Sequence, residues 1–346
     1  MAASDQSDNQ TDGSALNPTM NPTPDPAPDP APAGPAPDQT LGKADLENFP
    51  VAPSFLPAAW RTDLMAVYGF ARLIDDAGDG DLADPGAVAA LLGAGGTPVT
   101  PPAQDGPPSP AETEFRLALL DGLERDLERA FEAALPAGAA EQPRHPLMRA
   151  LVPLVGKHGL TPEPFRRLIE ANRVDQRTTR YPTYQDLIGY CTLSADPVGR
   201  LVLSIAGVST PERVAYSDAV CSALQVVEHL QDVAEDLGHG RIYLPGEDLE
   251  RFGVTEADLA EPTAGPRVRE LIAFEVDRAR TLLDHGAPLV GTVRGRLRLL
   301  LAGFTAGGYA ALAAIEAAGY DVLAQQPKPD KRRLAVKAAT LFAKGR

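Results

Sequence analysis

The fold is indicated most strongly by one stretch, Asp232-Val-Ala-Glu-Asp-Leu-Gly-His-Gly-Arg-Ile-Tyr-Leu-Pro245. The eight residues before Gln231 are largely apolar and have helical spacing. Asp232 and Asp236 are four residues apart, so in a helix their carboxylates face the same way, one turn apart. Gly238 then ends the helix. The stretch therefore predicts a helix whose last turn carries a pair of carboxylates.

A second acidic pair, Asp75 and Asp79, lies 157 residues earlier and also follows a largely apolar helical run. Like charges at this spacing destabilise a helix, but a divalent cation reverses the sign of the interaction. Hard carboxylate oxygens suit Mg²⁺, which keeps water ligands and recruits phosphates. The alternative for each pair is a solvated acidic face. Because unpaired charge beside apolar surface is costly, we predict that both pairs line a cleft and hold Mg²⁺, with Asp76 assisting.

The remaining chain has the apolar periodicity of helices. Leu120, Leu123 and Leu127 recur at steps of three and four, and similar patterns cover most of residues 164–318. Alternating segments flanked by hairpin turns are missing from the sequence. We therefore predict an all-α domain over residues 45–325.

Three details of these helices are also predicted. Residues 212–237 have the pattern of one continuous helix. Pro197 and Gly199 indicate either a kink that frees a backbone carbonyl or a plain turn between helices. Residues 299–315 form an uncharged run of 17 residues, shorter than the roughly 20 that cross a bilayer, so we expect a buried core helix.

Segments outside the helical domain have different compositions. Residues 1–44 contain nine prolines and six aspartates and are predicted to be a disordered tail. Residues 95–110 are rich in proline and glycine and indicate a surface loop. Residues 326–346 form a basic tail, which is either solvated or bound to an anionic membrane surface. The second alternative is favoured by the apolar residues that share one helical face, Leu334, Ala338, Leu341 and Phe342.

Overall composition excludes several classes of protein. The chain has 346 residues, 32 Lys and Arg against 47 Asp and Glu, and a net charge of −15, so we expect no nucleic-acid partner. Cys191 and Cys221 lack the spacing of a disulfide framework or a thiolate zinc site. Because the N-terminus lacks the basic start and apolar run of a signal peptide, we expect a cytoplasmic protein, in peripheral contact with the membrane.

The two aspartate pairs, together with Gly-Arg-Ile-Tyr-Leu-Pro at residues 240–245, resemble those of the squalene and phytoene synthase family. The resemblance covers about residues 46–325. It implies the isoprenoid synthase fold, an all-α helical bundle with a central cavity. It also implies a prenyl diphosphate substrate bound through Mg²⁺ on the two aspartate-rich helices.

Within the family, the chain most resembles the branch that converts presqualene diphosphate to hydroxysqualene. The segments that carry this resemblance are residues 47–51, 194–202, 228–232 and 317–322. The resemblance implies loss of diphosphate and capture of the cation by water, in squalene and hopanoid biosynthesis beside other enzymes of that pathway. One alternative is head-to-head condensation of two farnesyl or geranylgeranyl diphosphates to presqualene diphosphate, squalene or phytoene. Another, of a different class, is a catalytically silent metal-binding scaffold.

Candidate residues for substrate binding and catalysis lie near the two acidic pairs. Arg72 is on nearly the same helical face as Asp75 and either binds a diphosphate oxygen or forms a salt bridge to Asp75 or Asp79. Tyr68, one turn earlier, is expected to donate to the diphosphate or to line the cleft. Arg241 follows the second helix, where it can fold back over the anion.

Other candidates come from the family resemblance. It implies roles for Asn48 and Tyr243 in substrate binding, although Tyr243 can also be simple packing, and for Glu228 in catalysis. Many relatives have Asn in place of Glu228 and Arg in place of Gln231. We expect the loss of this cation to weaken diphosphate binding on this side, as would suit an enzyme that handles one diphosphate.

Overall fold

The computed structural model describes residues 37–42, 52–95, 108–135 and 141–344, and all of these lie in one compact unit, residues 34–346. Within these ranges the chain is helical, and the only β-type pairing is an isolated parallel bridge between Arg180 and Ile242. The predicted all-α fold is confirmed.

The helices, in chain order, are α1 Pro37–Gly42, α2 Ala58–Asp79, α3 Pro85–Leu92, α4 Pro110–Ala133, α5 Pro146–His158, α6 Pro162–Asp175, α7 Tyr184–Ser194, α8 Asp196–Ile205, α9 Pro211–Gln231, α10 Val233–Gly238, α11 Gly246–Phe252, α12 Glu256–Leu259, α13 Pro266–Gly286, α14 Leu289–Thr292, α15 Gly295–Ala317 and α16 Lys331–Lys344.

Helix starts are encoded locally by a capping side chain followed by proline. Asp84, Ser109 and Thr210 each accept a hydrogen bond from the backbone N–H three residues further on. Each of them is followed by a proline, which lacks an N–H and has a backbone angle that suits the first helical position. These caps explain why α3, α4 and α9 begin where they do.

The core consists of two hydrophobic clusters. In the first, α2 and α6 meet through Phe70 and Phe165, which are fully buried and pack edge to face with ring centroids 5.0 Å apart. Burial of each ring contributes roughly 2 kcal/mol. In the second cluster α9 and α13 approach so closely that a Cβ at Gly286 would lie 2.6 Å from Val220 Cγ2. The two acidic motifs lie on α2, in the first cluster, and at the end of α9, beside the second.

α15 is the one helix in the described ranges that is long and apolar enough to cross a membrane. Of the most apolar 18-residue stretch of α15, 67% is buried inside the protein. Arg298, in the first turn of α15, is also buried, at 7% exposure. The predicted core helix is confirmed by this burial.

The structure differs from three sequence predictions. Residues 212–237 are not one helix, because Asp232 leaves helical geometry (φ −105°, ψ 13°) and separates α9 from α10. α1 lies inside the predicted disordered tail, where Leu41 packs against the first cluster. The basic tail contains α16, and its residues Leu341 and Phe342 pack on the core, so part of the apolar face expected to meet a membrane is covered.

The interruption at Pro197 is a junction between two helices. α7 ends at Ser194, and Ala195 separates it from α8, in which Pro197 occupies the first turn. Gly199 allows α8 to contact α9, because a Cβ there would lie 2.3 Å from Ser217 Oγ and 2.6 Å from Cys221 Sγ. Close helix packing accounts for this glycine.

Candidate active site

The first acidic motif occupies the C-terminal end of α2. Asp75 and Asp79 are exposed there, whereas Asp76 is buried and pairs with Arg72, whose Nε lies 2.8 Å from Asp76 Oδ1. The salt bridge of Arg72 is thus to Asp76, not to Asp75 or Asp79 as we expected from the sequence. The helix ends at Gly80, whose φ of 83° is the left-handed conformation that glycine adopts readily.

α6 supports this motif from the side. Asn172 Nδ2 donates to Asp75 Oδ1 at 3.0 Å, and Gln176 Nε2 donates to the Gly78 carbonyl at 2.9 Å. The approach requires a glycine, because a Cβ at Gly78 would lie 2.1 Å from Asn172 Oδ1. Arg116, on α4, donates to the same carbonyl at 3.1 Å.

Asp75 sits in an unfavourable environment for a carboxylate. Although its side chain reaches solvent, desolvation by the surrounding protein raises the pKa of Asp75 to about 7. The Asn172 hydrogen bond opposes the rise, and the charge on Asp79 adds to it. A cation bound between the two carboxylates would relieve this repulsion.

The second motif keeps its spacing despite the helix break. The Asp236 N–H donates to the Asp232 carbonyl at 2.8 Å, and the Arg241 N–H donates to the Asp236 carbonyl at 2.8 Å. These bonds hold Asp232 and Asp236 one turn apart. Oδ2 of Asp236 is buried and accepts no hydrogen bond from the described residues, and His229 Nδ1 lies 3.8 Å from it.

Arg241 joins the two motifs. Its Nη1 lies 3.4 Å from Asp79 Oδ1, so a side chain that follows the second motif contacts the first. Its position is fixed by the neighbouring Ile242, whose N–H donates to the Thr179 carbonyl at 2.9 Å. Burial lowers the pKa of Arg241, but Tyr243, Asp175 and Asp79 outweigh it, and the net pKa is raised. The guanidinium is therefore firmly charged.

Sequence reasoning missed a further carboxylate, Asp175, at the end of α6. Its two oxygens accept hydrogen bonds from Tyr190 Oη at 2.8 Å and Tyr243 Oη at 3.3 Å. Burial raises the pKa of Asp175, while Arg241 and the Tyr190 hydrogen bond oppose the rise. The sequence places Asn172, Asp175 and Gln176 on one helical face, which is the only signal it offers, and it does not show what that face contacts.

Tyr243 belongs to an aromatic cluster beside Asp175. Its ring stacks on His229 with centroids 3.6 Å apart and lies 5.6–5.7 Å from Tyr181 and Tyr190. Burial, followed by the charge on Asp175, raises the pKa of Tyr243, so its hydroxyl remains a donor at neutral pH. Tyr243 therefore packs in the core and also orients a carboxylate of the site.

The segment that follows α15 is attached to the second motif. Gln326 Nε2 donates to Asp232 Oδ1, and Gln231 Nε2 donates to the Pro327 carbonyl. Burial raises the pKa of Asp232, the Gln326 hydrogen bond opposes the rise and Asp236 adds to it. Gln231 thus makes a structural contact. This contact was not predicted from the sequence, where the residue was considered only as a replacement for the arginine of many relatives.

The remaining predicted residues are placed as follows. Tyr68 is half-buried on α2, one turn before Arg72, and Glu228 is exposed on α9, one turn before Asp232. Asn48 lies outside the described residues. Arg241 therefore contacts Asp79 of the first motif through its side chain and Asp236 of the second through its backbone, and Tyr243 is hydrogen-bonded to Asp175.

The donor set suits a hard divalent cation. In the described part of the chain no three Asp, Glu, His or Cys side chains converge on one point. Each pair can supply two carboxylates, and water or phosphate oxygens would complete the octahedral coordination that Mg²⁺ prefers. The buried Asp236 Oδ2 without a hydrogen-bond partner is an acceptor that such an ion would satisfy.

Comparison with known proteins agrees with this geometry. The squalene/phytoene synthase family model matches residues 43–335. The hydroxysqualene synthase of Rhodopseudomonas palustris is 31% identical over 72% of this chain and 72% of its own. The 15-cis-phytoene synthase of Synechococcus elongatus is 30% identical over 69% of this chain and 70% of its own.

A solved structure is also similar. The squalene synthase HpnC from Alicyclobacillus acidocaldarius superposes with a TM-score of 0.65 and 41% identity, covering 82% of this chain and 92% of that one. On its sequence, its fold and the geometry of its acidic helices, the chain belongs to the squalene/phytoene synthase family.

Proposed function

We propose that the protein converts presqualene diphosphate to hydroxysqualene, with water as the second substrate and diphosphate as the second product. The observation that carries the proposal is the contact of Arg241 with Asp79, which places a cation that follows the second motif against a carboxylate of the first. The similarity to proteins named hydroxysqualene synthase and squalene synthase HpnC supports the choice of reaction.

We assign Mg²⁺ to Asp75 and Asp79 on one side and to Asp232 and Asp236 on the other. When bound, it supplies Lewis acidity that stabilises the departing diphosphate. Asp76 supports the site indirectly, since its pairing with Arg72 holds that guanidinium at the rim of the acidic pair.

The chain's own residues bind and orient the anion. Arg241 is 20% exposed and Arg72 is 29% exposed, so both guanidinium groups can be reached by diphosphate oxygens, which such groups bind with charge-assisted hydrogen bonds. Without them, a chain with a net charge of −15 would repel this substrate. Apolar helix faces around the site keep bulk water from the cation until one water forms the C–O bond and its proton passes to the released diphosphate.

The second candidate is condensation of two prenyl diphosphates, which is favoured by the similarity to proteins named phytoene synthase. The two candidates share the metal ligands and differ in the substrate consumed. Presqualene diphosphate needs one diphosphate site, whereas condensation needs two. The position of Gln231, where many relatives have arginine, supports the single-diphosphate reaction.

The test is incubation of the purified full chain with Mg²⁺ and either presqualene diphosphate or farnesyl diphosphate, without a reductant. We expect hydroxysqualene from presqualene diphosphate and no coupled product from farnesyl diphosphate, measured by mass analysis of extracted lipids. Asp79→Asn is the matched inactive control. Presqualene diphosphate formed by the wild type from farnesyl diphosphate would refute the proposal in favour of condensation.

A further inference from the structure

α15 and α16 form an antiparallel pair. The guanidinium of Arg298 lies over the ring of Phe342 at 5.0 Å, and Lys337 Nζ lies 3.7 Å from the ring centre of Tyr309. The C-terminal turn of α16 therefore contacts the first turns of α15. Since α16 has 14 residues, the pair presents an exposed helix about 20 Å long.

The charge along this pair is opposite to that of the whole chain. Exposed cations lie on α16, on the segment that leads into it and at the start of α15. They are Arg294, Arg296, Lys328, Lys331, Arg332, Arg333 and Lys344. Among residues 294–299 and 328–344 the only acid is Asp330, while the chain as a whole has a net charge of −15. We call these seven cations the basic surface.

Exposed apolar side chains are interspersed in the basic surface. Val336 is 69% exposed and Leu299 is 41% exposed. By contrast, Leu341 and Phe342 pack against the protein core. The docked α16 therefore presents cations with isolated apolar side chains, and its main apolar face is directed inward.

We propose that the basic surface binds the surface of an anionic lipid bilayer. Each Lys or Arg near such a surface strengthens binding about five-fold, and isolated apolar side chains enter the headgroup region. A nucleic acid is a poorer fit, because the surface exposes no aromatic side chain on which bases could stack. The proposal is independent of the reaction, since it rests on charge and exposure alone.

The test is co-sedimentation of the full chain, without Mg²⁺ or substrate, with vesicles of phosphatidylcholine alone or mixed with phosphatidylglycerol. We expect binding only to the mixed vesicles and its loss at high ionic strength. The triple variant Lys331→Gln, Arg332→Gln, Arg333→Gln should bind on the order of 100-fold more weakly. The matched control changes three exposed arginines elsewhere, Arg125→Gln, Arg251→Gln and Arg267→Gln, and should bind like the wild type.

Two outcomes overturn the proposal. One is equal binding of the wild type and the Lys331 triple variant to mixed vesicles, with both showing the same thermal unfolding. The other is displacement of the chain from mixed vesicles by a double-stranded DNA oligonucleotide at low ionic strength, which would assign the surface to nucleic acid. Because no substrate is present, neither outcome depends on the proposed activity.

Discussion

At Gly78 two helices approach so closely that a methyl group does not fit. A Cβ there would lie 2.1 Å from Asn172 Oδ1, the amide group that also donates to Asp75. Gly303, on α15, is the opposite case, because nothing lies within 4 Å of the position of its Cβ. Alanine at Gly78 therefore tests close packing, whereas alanine at Gly303 tests only the backbone entropy of the unfolded chain.

We predict that Gly78→Ala lowers the free energy of unfolding by about 1–3 kcal/mol through overpacking. Gly303→Ala should be neutral or stabilise by about 0.5 kcal/mol, because alanine restricts the unfolded chain. Urea unfolding measures both. The double variant Gly78→Ala, Asn172→Ala should recover part of the loss, and equal effects of the two single variants would contradict the packing explanation.

Asp196 is a buried carboxyl group outside the proposed site. It is 3% exposed, and its Oδ1 accepts a hydrogen bond from Ser222 Oγ at 2.7 Å. Burial raises the pKa of Asp196 to about 7, against the effect of this hydrogen bond. Since the pKa in the folded chain exceeds the ordinary value, its stabilising contribution is full below the ordinary pKa and is lost as the pH rises through about 7.

We predict that Asp196→Asn removes this pH dependence, because asparagine stays neutral and its carbonyl oxygen still accepts from Ser222. Between about pH 5 and about pH 8 the wild type should lose roughly 2 kcal/mol more stability than the variant. Chemical unfolding across this range measures the difference. Exposed Asp277→Asn is the control, and parallel curves for wild type and Asp196→Asn would refute the assignment.

On the scale of elements, the segment between α15 and α16 is hydrogen-bonded to the second motif. The amide of Gln326 donates to Asp232 Oδ1, one of the proposed Mg²⁺ ligands, while Gln231 holds the carbonyl of Pro327. A metal ion at Asp232 must therefore compete with an amide for the same oxygen.

We predict that Gln326→Ala binds Mg²⁺ about 3–10-fold more tightly than the wild type, because it removes a competing hydrogen bond of about 1 kcal/mol. Isothermal titration with Mg²⁺ alone measures this without reference to turnover. Gln325→Ala, at the exposed neighbouring position, should match the wild type. Weaker binding by Gln326→Ala would show that the amide supports the ligand instead of competing with it.

Periodicity predicted the elements that depend on local pattern and missed those that depend on distant contacts. α4 and α15 follow from apolar spacing alone. The break at Asp232 does not, because it lies at contacts with Gln326 and Pro327, which are far away in sequence. The i,i+4 spacing that pairs Asp75 with Asp79 also pairs Arg72 with Asp76. From the sequence only Asp75 and Asp79 were expected as salt-bridge partners of Arg72, and Asp76 was missed.

The carboxylates of the candidate site were found from the sequence, but their connections were not. Arg241 was expected near the anion, and the structure places it against Asp79. Asp175 and Asn172 were missed because their roles depend on how α6 packs on α2 and α7. Such contacts depend on how the helices pack in three dimensions, and no spacing of residues in the sequence predicts them.

For the whole molecule, the predicted disordered tail and the folded unit can be separated by truncation. α1 (Pro37–Gly42) packs on the first cluster through Leu41, whereas residues 1–36 lie outside the described ranges. We predict that removal of residues 1–36 leaves the unfolding midpoint unchanged. Removal of residues 1–51 should lower the midpoint by several degrees, since loss of the half-buried Leu41 costs about 2 kcal/mol. Calorimetry measures both, and a large effect of the shorter truncation would contradict the predicted tail.

The contact of Arg241 with Asp79 joins residues that are 162 positions apart in the chain. At a synthesis rate of about 5–20 residues per second, the ribosome needs on the order of 10–30 s to reach Arg241 after it has made Asp79. Gln326, which binds Asp232, follows 94 residues after Asp232. A nascent chain therefore carries an acidic helix end long before its cationic partner exists, and the contacts of the second motif are complete only after Gln326 has been synthesised.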